Sequence, residues 1–151
     1  PWLVRSLSGG RRVEKYALLD MLGLPHDALP HLGSWKADMG FLRHIVAQIA
    51  RLRPQTVVEL GAGASTLIPA RADLRLLTTT LALHGGGRLV SFDQHRDFAE
   101  ATGAWLHDHG LSAEVRHAPL SADPDQWPGR WYALDDVPER IDMLVIDGPP
   151  W

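Results

Sequence analysis

The apolar residues of the chain form four short runs, which are separated by segments with helical spacing. The runs at residues 56–60 and 141–146 are apolar almost throughout, as in parallel strands that are covered on both faces. A third run at 88–92 follows three glycines, and a weaker run lies at 113–117. These runs predict four short strands.

The segments around and between these strands predict helices. Apolar positions at helical spacing indicate helices at 13–21, 37–52 and 96–109. Residues 66–83 are rich in leucine, but Pro69 and the threonines at 78–80 argue against one unbroken helix there. Residues 121–139 are predicted to form a long connection with one helical turn near 135–139. The alternation of strands and helices indicates βαβ units and an α/β fold.

Composition and charge narrow the possible functions. The chain has 151 residues, of which 45% are hydrophobic and 22% charged, as expected for one globular domain. Its net charge of −3 gives no electrostatic basis for a nucleic-acid partner. Cysteine is absent, which excludes disulfides and thiolate zinc sites and fits a cytoplasmic location. No apolar run approaches the roughly 20 residues that span a bilayer, so no membrane partner is expected.

The most informative motif is a glycine-rich turn after the first predicted strand. Gly61 and Gly63 allow a sharp turn and a close approach of ligand to backbone, and Ser65 or Thr66 can cap the next helix. A phosphate-binding P-loop would require a lysine, which this turn lacks. A dinucleotide-binding turn would require Gly or Ala in place of Thr66, and the carboxylate of Glu59 would repel a pyrophosphate. Because that carboxylate would attract an ammonium group, the turn favours a nucleoside that carries an amino acid.

A second acid, Asp93, follows the second predicted strand. A carboxylate at this place can accept hydrogen bonds from both hydroxyls of a ribose. It can also act as a solvated cap of the helix that follows. Together, Glu59 and Asp93 favour a nucleoside cofactor over a turn that merely packs a strand against a helix.

The segment Glu59-Leu60-Gly61-Ala62-Gly63 resembles the first motif of the class I S-adenosylmethionine-dependent methyltransferases. The resemblance implies that S-adenosylmethionine is the cofactor, with the loop and Glu59 on its methionine part and Asp93 on its ribose. An apolar residue after the third strand, Ala118 or Leu120, would frame the adenine, and ordinary loop packing of these residues stays open as the alternative. The cofactor-binding residues implied in this way are Glu59, Gly61, Ala62, Gly63, Ser65, Thr66, Asp93, Gln94 and Ala118.

Asp147 follows the fourth predicted strand, at the end where ligands bind in open α/β sheets. Residues 141–150 resemble a bacterial subgroup of small-molecule methyltransferases related to the catechol-O-methyltransferase-like families. Asp147 is therefore the candidate catalytic or substrate-positioning acid, and a role in the turn alone stays open. No metal ligand is assigned. The motif of amino-methyltransferases would need a polar side chain at Gly148, which disfavours amino-group and nucleic-acid targets.

The resemblance implies a Rossmann-like, three-layer α/β sandwich with a mostly parallel sheet and the strand order 3-2-1-4. Residues 37–151 would form a partial cofactor-binding core without its C-terminal strands, and residues 1–36 an N-terminal appendage of helix and loop. The implied function is methyl transfer to a small molecule, with a hydroxyl as the acceptor. Two alternatives stay open, an NAD-dependent oxidoreductase and a non-catalytic cofactor-binding fragment. The oligomeric state is not predicted.

Overall fold

The computed structural model describes residues 12–28, 39–61, 67–122 and 129–147. Within them the helices are α1 (Arg12–Met21), α2 (Met39–Leu52), α3 (Leu67–Leu83) and α4 (Arg96–Asp108). The strands are β1 (Thr56–Leu60), β2 (Arg88–Asp93), β3 (Ala113–His117), β4 (Leu120–Ala122), β5 (Arg130–Tyr132) and β6 (Met143–Ile146).

Four of the strands form one parallel sheet in the order β3-β2-β1-β6, and β4 and β5 form a separate antiparallel hairpin. The parallel sheet with its flanking helices confirms the predicted α/β fold class and the strand order 3-2-1-4 among the four predicted strands. β1 lies inside the sheet and is buried at four of its five positions, which explains why its sequence is apolar almost throughout.

The leucine-rich segment forms one continuous helix, α3, so the prediction of a break was wrong. Pro69 lies in the first turn, where the backbone N–H groups have no partner within the helix, so its missing N–H disrupts nothing. The buried hydroxyls of Thr78 and Thr80 each donate to the carbonyl four residues earlier, Leu74 and Leu76, at 2.7 Å. The threonines therefore satisfy their own polar groups within the helix.

β6 begins at Met143, two residues later than the sequence pattern predicts, because the side chain of Asp142 bonds to the start of β1. Its Oδ2 accepts hydrogen bonds from the backbone amides of Gln55 and Thr56, both at 3.0 Å. Its own amide donates to the carbonyl of Thr56 at 3.0 Å. Asp142 thus fastens the start of β6 to the start of β1.

The connection between β3 and β6 also differs from the prediction. Instead of one helical turn near 135–139, it contains the β4–β5 hairpin, in which Leu120 pairs with Tyr132 and Ala122 with Arg130. Residues 135–139 have no helical structure. Strands of three residues with mixed polarity leave too little periodicity to be recognised.

The two faces of the sheet are covered differently. On one face, buried residues of the sheet pack with α2, α3 and α4 through Ile45, Ile49, Val57, Leu74, Leu77, Leu81, Leu89, Leu106 and Val145. On the other, the hairpin residue Tyr132 packs with Val58, Leu60, Val90, Phe92 and Ala118. The hairpin therefore brings side chains close to the ends of β1 and β2.

α1 packs outside the helical layer, where Leu18, Leu19 and Leu22 meet residues of α2 and α3. In the part of the chain that the structure describes, every helix is too short or too polar to cross a membrane.

Candidate functional site

The carboxyl ends of β1, β2 and β6 meet at one edge of the sheet. In the parallel register, Leu60 of β1 pairs with both Phe92 and Ile146. One further step of the ladder follows, since the Gly61 amide donates to the Phe92 carbonyl and the Asp147 amide to the Leu60 carbonyl, both at 2.9 Å. This edge therefore carries the three acids singled out in the sequence, Glu59, Asp93 and Asp147.

Glu59 is a buried carboxyl group inside the sheet, with only 5% of its surface exposed. Its Oε2 accepts a hydrogen bond of 2.7 Å from the hydroxyl of Ser91 on the neighbouring strand. Burial raises the pKa of Glu59 to about 7; the Ser91 bond opposes the rise, and the nearby charges of Asp147 and Asp93 add to it. A cation placed beside this group would therefore gain an ionised partner in a poorly solvated place.

Asp93 is fully buried, which corrects the alternative of a solvated helix cap. Its Oδ1 does cap the chain ahead of α4, by accepting a 2.7 Å hydrogen bond from the backbone amide of His95. Its Oδ2 is buried and has no hydrogen-bond partner among the described residues. Burial raises the pKa of Asp93, although the bond from His95 opposes the rise. One oxygen is thus structural, and the other lacks a partner that a ligand could supply.

Of the glycine-rich turn at residues 61–66, the structure describes the first residue, Gly61. Gly61 is buried and has φ +88°, a conformation that residues with a Cβ rarely adopt, so a glycine is needed there. The predicted contributions of Ala62, Gly63, Ser65 and Thr66 lie outside the described residues. Gly61 therefore has the left-handed backbone that a sharp turn after β1 would require.

Gln94 and Ala118 also lie at this edge of the sheet. The Oε1 of Gln94 is buried without a hydrogen-bond partner among the described residues. Ala118 is fully buried and donates its amide to the Asp93 carbonyl at 2.8 Å. Ala118 thus follows β3 beside Asp93.

Asp147 is held by its backbone, and its side chain is free for another role. The amide that bonds to Leu60 fixes its position, and the residue is exposed. The protein around its carboxyl group still raises the pKa of Asp147 by partial loss of water. The charge of Asp147 also raises the pKa of Glu59.

Tyr132 is a site residue that the sequence prediction missed. The hairpin buries its side chain to 4% exposure, and its hydroxyl has no hydrogen-bond partner among the described residues. Burial raises the pKa of Tyr132 well above its usual 10, and the charges of Asp93, Asp147 and Glu59 raise it further. The phenol therefore stays protonated beside the three acids. Two adjacent aromatic residues in an otherwise polar connection were the one available signal.

The arrangement can accept a molecule that is cationic at one point and rich in hydroxyl groups at another. Glu59 suits the cation, and the unpartnered Oδ2 of Asp93 suits a hydroxyl donor. Among the residues that the structure describes, no three His, Cys, Asp or Glu side chains are placed to hold a metal ion.

In comparisons with known proteins, no family model matches the chain, and no curated protein matches it. Among solved structures, the chain is similar to a methyltransferase from Geobacter sulfurreducens, with 19% sequence identity and a TM-score of 0.38. The match covers 71% of this chain and 47% of that chain, so this chain spans about half the length of that protein. A likeness of this size carries no argument about function, which has to come from the site itself.

Proposed function

We propose that this chain binds S-adenosylmethionine and transfers its methyl group to the hydroxyl of a small molecule in the cytoplasm, without a nucleic-acid partner. One observation carries the proposal: two buried carboxyl groups, Glu59 and Asp93, lie on adjacent parallel strands near the edge where a glycine turn begins. An adenosyl amino acid offers each of them what it lacks, an ammonium group for Glu59 and ribose hydroxyls for Asp93.

The chain's own residues would act mainly by orientation. Glu59, ionised and held by Ser91, binds the ammonium group. The free Oδ2 of Asp93 accepts from the ribose, while Oδ1 keeps the carboxylate in place through His95. The bound sulfonium supplies an activated methyl group. Fixing both ends of such a molecule places its reactive centre reproducibly toward an acceptor, and orientation of this kind contributes much of the rate in displacement reactions.

Asp147 is proposed to position the acceptor hydroxyl and to accept its proton. Its raised pKa brings it closer to the range in which a carboxylate is an effective base. Because the backbone amide of Asp147, and not its side chain, bonds to β1, the variant Asp147→Asn should keep the turn.

The variant Asp147→Asn is expected to lower kcat by about 10²–10⁴-fold with little change in cofactor affinity. The measurement is the yield of S-adenosylhomocysteine from a panel of phenol, catechol and aliphatic alcohol acceptors. Asp108→Asn, at the exposed end of α4, is the matched control. Unchanged turnover in Asp147→Asn would leave Asp147 with a role in the turn alone.

Calorimetric titration with S-adenosylhomocysteine tests the binding site directly. Glu59→Gln and Asp93→Asn should each weaken binding by about 10–100-fold, because each removes a hydrogen bond to a charged group. Glu114→Gln is the matched control: this acid lies on β3, is 46% exposed and pairs with Arg88. The affinity of Glu114→Gln for S-adenosylhomocysteine should stay within about twofold of that of the unaltered chain.

The same titration separates the two alternatives from the proposal. Binding of NAD in preference to S-adenosylhomocysteine would support an oxidoreductase. Binding of S-adenosylhomocysteine without transfer from S-adenosylmethionine to any acceptor in the panel would support a non-catalytic module. Equal affinity in Glu59→Gln, Asp93→Asn and the unaltered chain would contradict the proposed site.

A further inference from the structure

The Tyr132 hydroxyl and the Asp93 Oδ2 form an unsatisfied pair at the same edge of the sheet. Both atoms are buried, and neither has a hydrogen-bond partner among the described residues. One is a donor and the other an acceptor, yet they do not bond to each other. Leaving two such groups unpaired in a protein interior is unfavourable, and an absent ligand commonly explains it.

Both groups lie by the C-terminal end of β2. The Tyr132 ring packs with Phe92, the residue before Asp93, and with Ala118, whose amide is bonded to the Asp93 carbonyl. Among the charges that raise the pKa of Tyr132, that of Asp93 contributes most. The position of Tyr132 is fixed by the hairpin, because Tyr132 pairs with Leu120 and the next amide, of Ala133, donates to the Pro119 carbonyl at 2.8 Å.

A sugar hydroxyl satisfies both groups at once, since a hydroxyl donates one hydrogen bond and accepts others. We propose that Tyr132 is a ligand-binding residue whose phenol donates to a ribose hydroxyl, and that the same hydroxyl donates to the free Oδ2 of Asp93. The inference rests on the proposed function and adds a residue from the hairpin to that site. Tyr132 selects a ligand that has this hydroxyl over one that lacks it, because a deoxy ligand leaves both protein groups unpaired.

The test is a titration of the unaltered chain and Tyr132→Phe with S-adenosylhomocysteine and with its 2′-deoxy and 3′-deoxy analogues. Tyr132→Phe should weaken binding of S-adenosylhomocysteine about tenfold. One of the two analogues lacks the bridging hydroxyl and should bind the unaltered chain more weakly than S-adenosylhomocysteine does. Tyr132→Phe should bind that analogue with the same affinity as the unaltered chain does, within about twofold. Tyr16→Phe is the matched control, because it removes the hydroxyl of the other tyrosine, which is half-buried on α1 and accepts a hydrogen bond from Arg12.

Thermal unfolding distinguishes ligand binding from packing. Without ligand, Tyr132→Phe should unfold at the same temperature as the unaltered chain or at a higher one, because it removes a buried hydroxyl that has no partner. Equal affinity of the two proteins for S-adenosylhomocysteine would overturn the inference, and so would an equal loss for all three ligands with a lower unfolding temperature. If the unaltered chain does not bind S-adenosylhomocysteine, the proposed function fails, and the role of Tyr132 fails with it.

Discussion

Replacing Glu59 by glutamine should stabilise the protein at neutral and alkaline pH while it weakens ligand binding. Glu59 is buried, its carboxylate accepts a hydrogen bond from the hydroxyl of Ser91, and its pKa is raised from 4.5 to about 7. The amide oxygen of glutamine can accept the same hydrogen bond without a charge. The variant therefore keeps the contact and removes the cost of a buried negative charge.

The magnitude follows from the difference between the pKa of the folded and unfolded chains. Between pH 4.5 and about 7 the folded protein binds a proton at Glu59 that the unfolded chain has released. Stability from this group is therefore full below pH 4.5 and is lost as the pH rises through about 7. At about 1.4 kcal/mol for each pH unit, the loss above pH 7 approaches about 3 kcal/mol.

Urea unfolding, followed by tryptophan fluorescence at pH 5 and pH 8, measures this effect. Glu59→Gln should exceed the unaltered chain by about 3 kcal/mol in free energy of unfolding at pH 8, and by much less at pH 5. Glu114→Gln is the control. The ion pairs of Glu114 with Arg88 and Arg116 lower its pKa, so this variant should have a slightly lower free energy of unfolding than the unaltered chain, where Glu59→Gln has a higher one. The reasoning would be refuted if Glu59→Gln were no more stable than the unaltered chain at pH 8, or if the difference in free energy of unfolding were equal at pH 5 and pH 8.

Three further predictions concern the same edge of the sheet and the opposite one. Affinity for S-adenosylhomocysteine, measured by calorimetry, should fall about fivefold between pH 7 and pH 6 in the unaltered chain, because binding needs the ionised carboxylate and the pKa of Glu59 is about 7. It should stay constant in Glu59→Gln, and an equal slope in both proteins would contradict this role of Glu59. Ser91→Ala should raise the pKa of Glu59 and lower the free energy of unfolding at pH 8 by about 1–3 kcal/mol, with a smaller loss at pH 5 in urea titrations and no such loss in the exposed control Ser121→Ala. Asp142→Ala should lower the thermal midpoint without changing the affinity, because its carboxylate bonds to the amides at the start of β1 and to Arg140, away from the site. A loss of affinity at an unchanged midpoint would show that these bonds influence the site.

β1 and β2 could be predicted from the sequence because burial on both faces demands continuous apolar runs. The run of β6 is apolar as well, but Leu144 and Ile146 are exposed, so the expected cover on both faces of this strand was wrong. The run at Thr56–Leu60 has the bounds that the structure gives to β1, and the strand order is confirmed as well. Glu59 and Asp93 could be singled out because an acid near the end of a buried strand interrupts that pattern. A strand and its acid could be predicted wherever the residues of that strand and of the turn after it are enough to determine which side chains are buried.

The hairpin and Tyr132 could not be predicted in this way. β4 and β5 are three residues long, and their pairing depends on a distant sheet face that covers Tyr132. The start of β6 was predicted two residues too early for a similar reason, since the carboxylate of Asp142 accepts hydrogen bonds from amides 86 and 87 residues earlier in the chain. Likewise, the continuity of α3 depends on where its threonine hydroxyls donate, which composition alone does not reveal.

The interior position of β1 has a consequence for the order of folding. β2 can pair with β1 once α3 and β2 have been synthesised. The contact between Thr56 and Asp142, in contrast, spans 86 residues. Pairings that are distant in sequence form late, because a large loop has to close first. During synthesis, Glu59 would therefore meet Ser91 before Asp147 emerges, so that the two carboxylates proposed to hold the ligand come together earlier than the one proposed to take the proton.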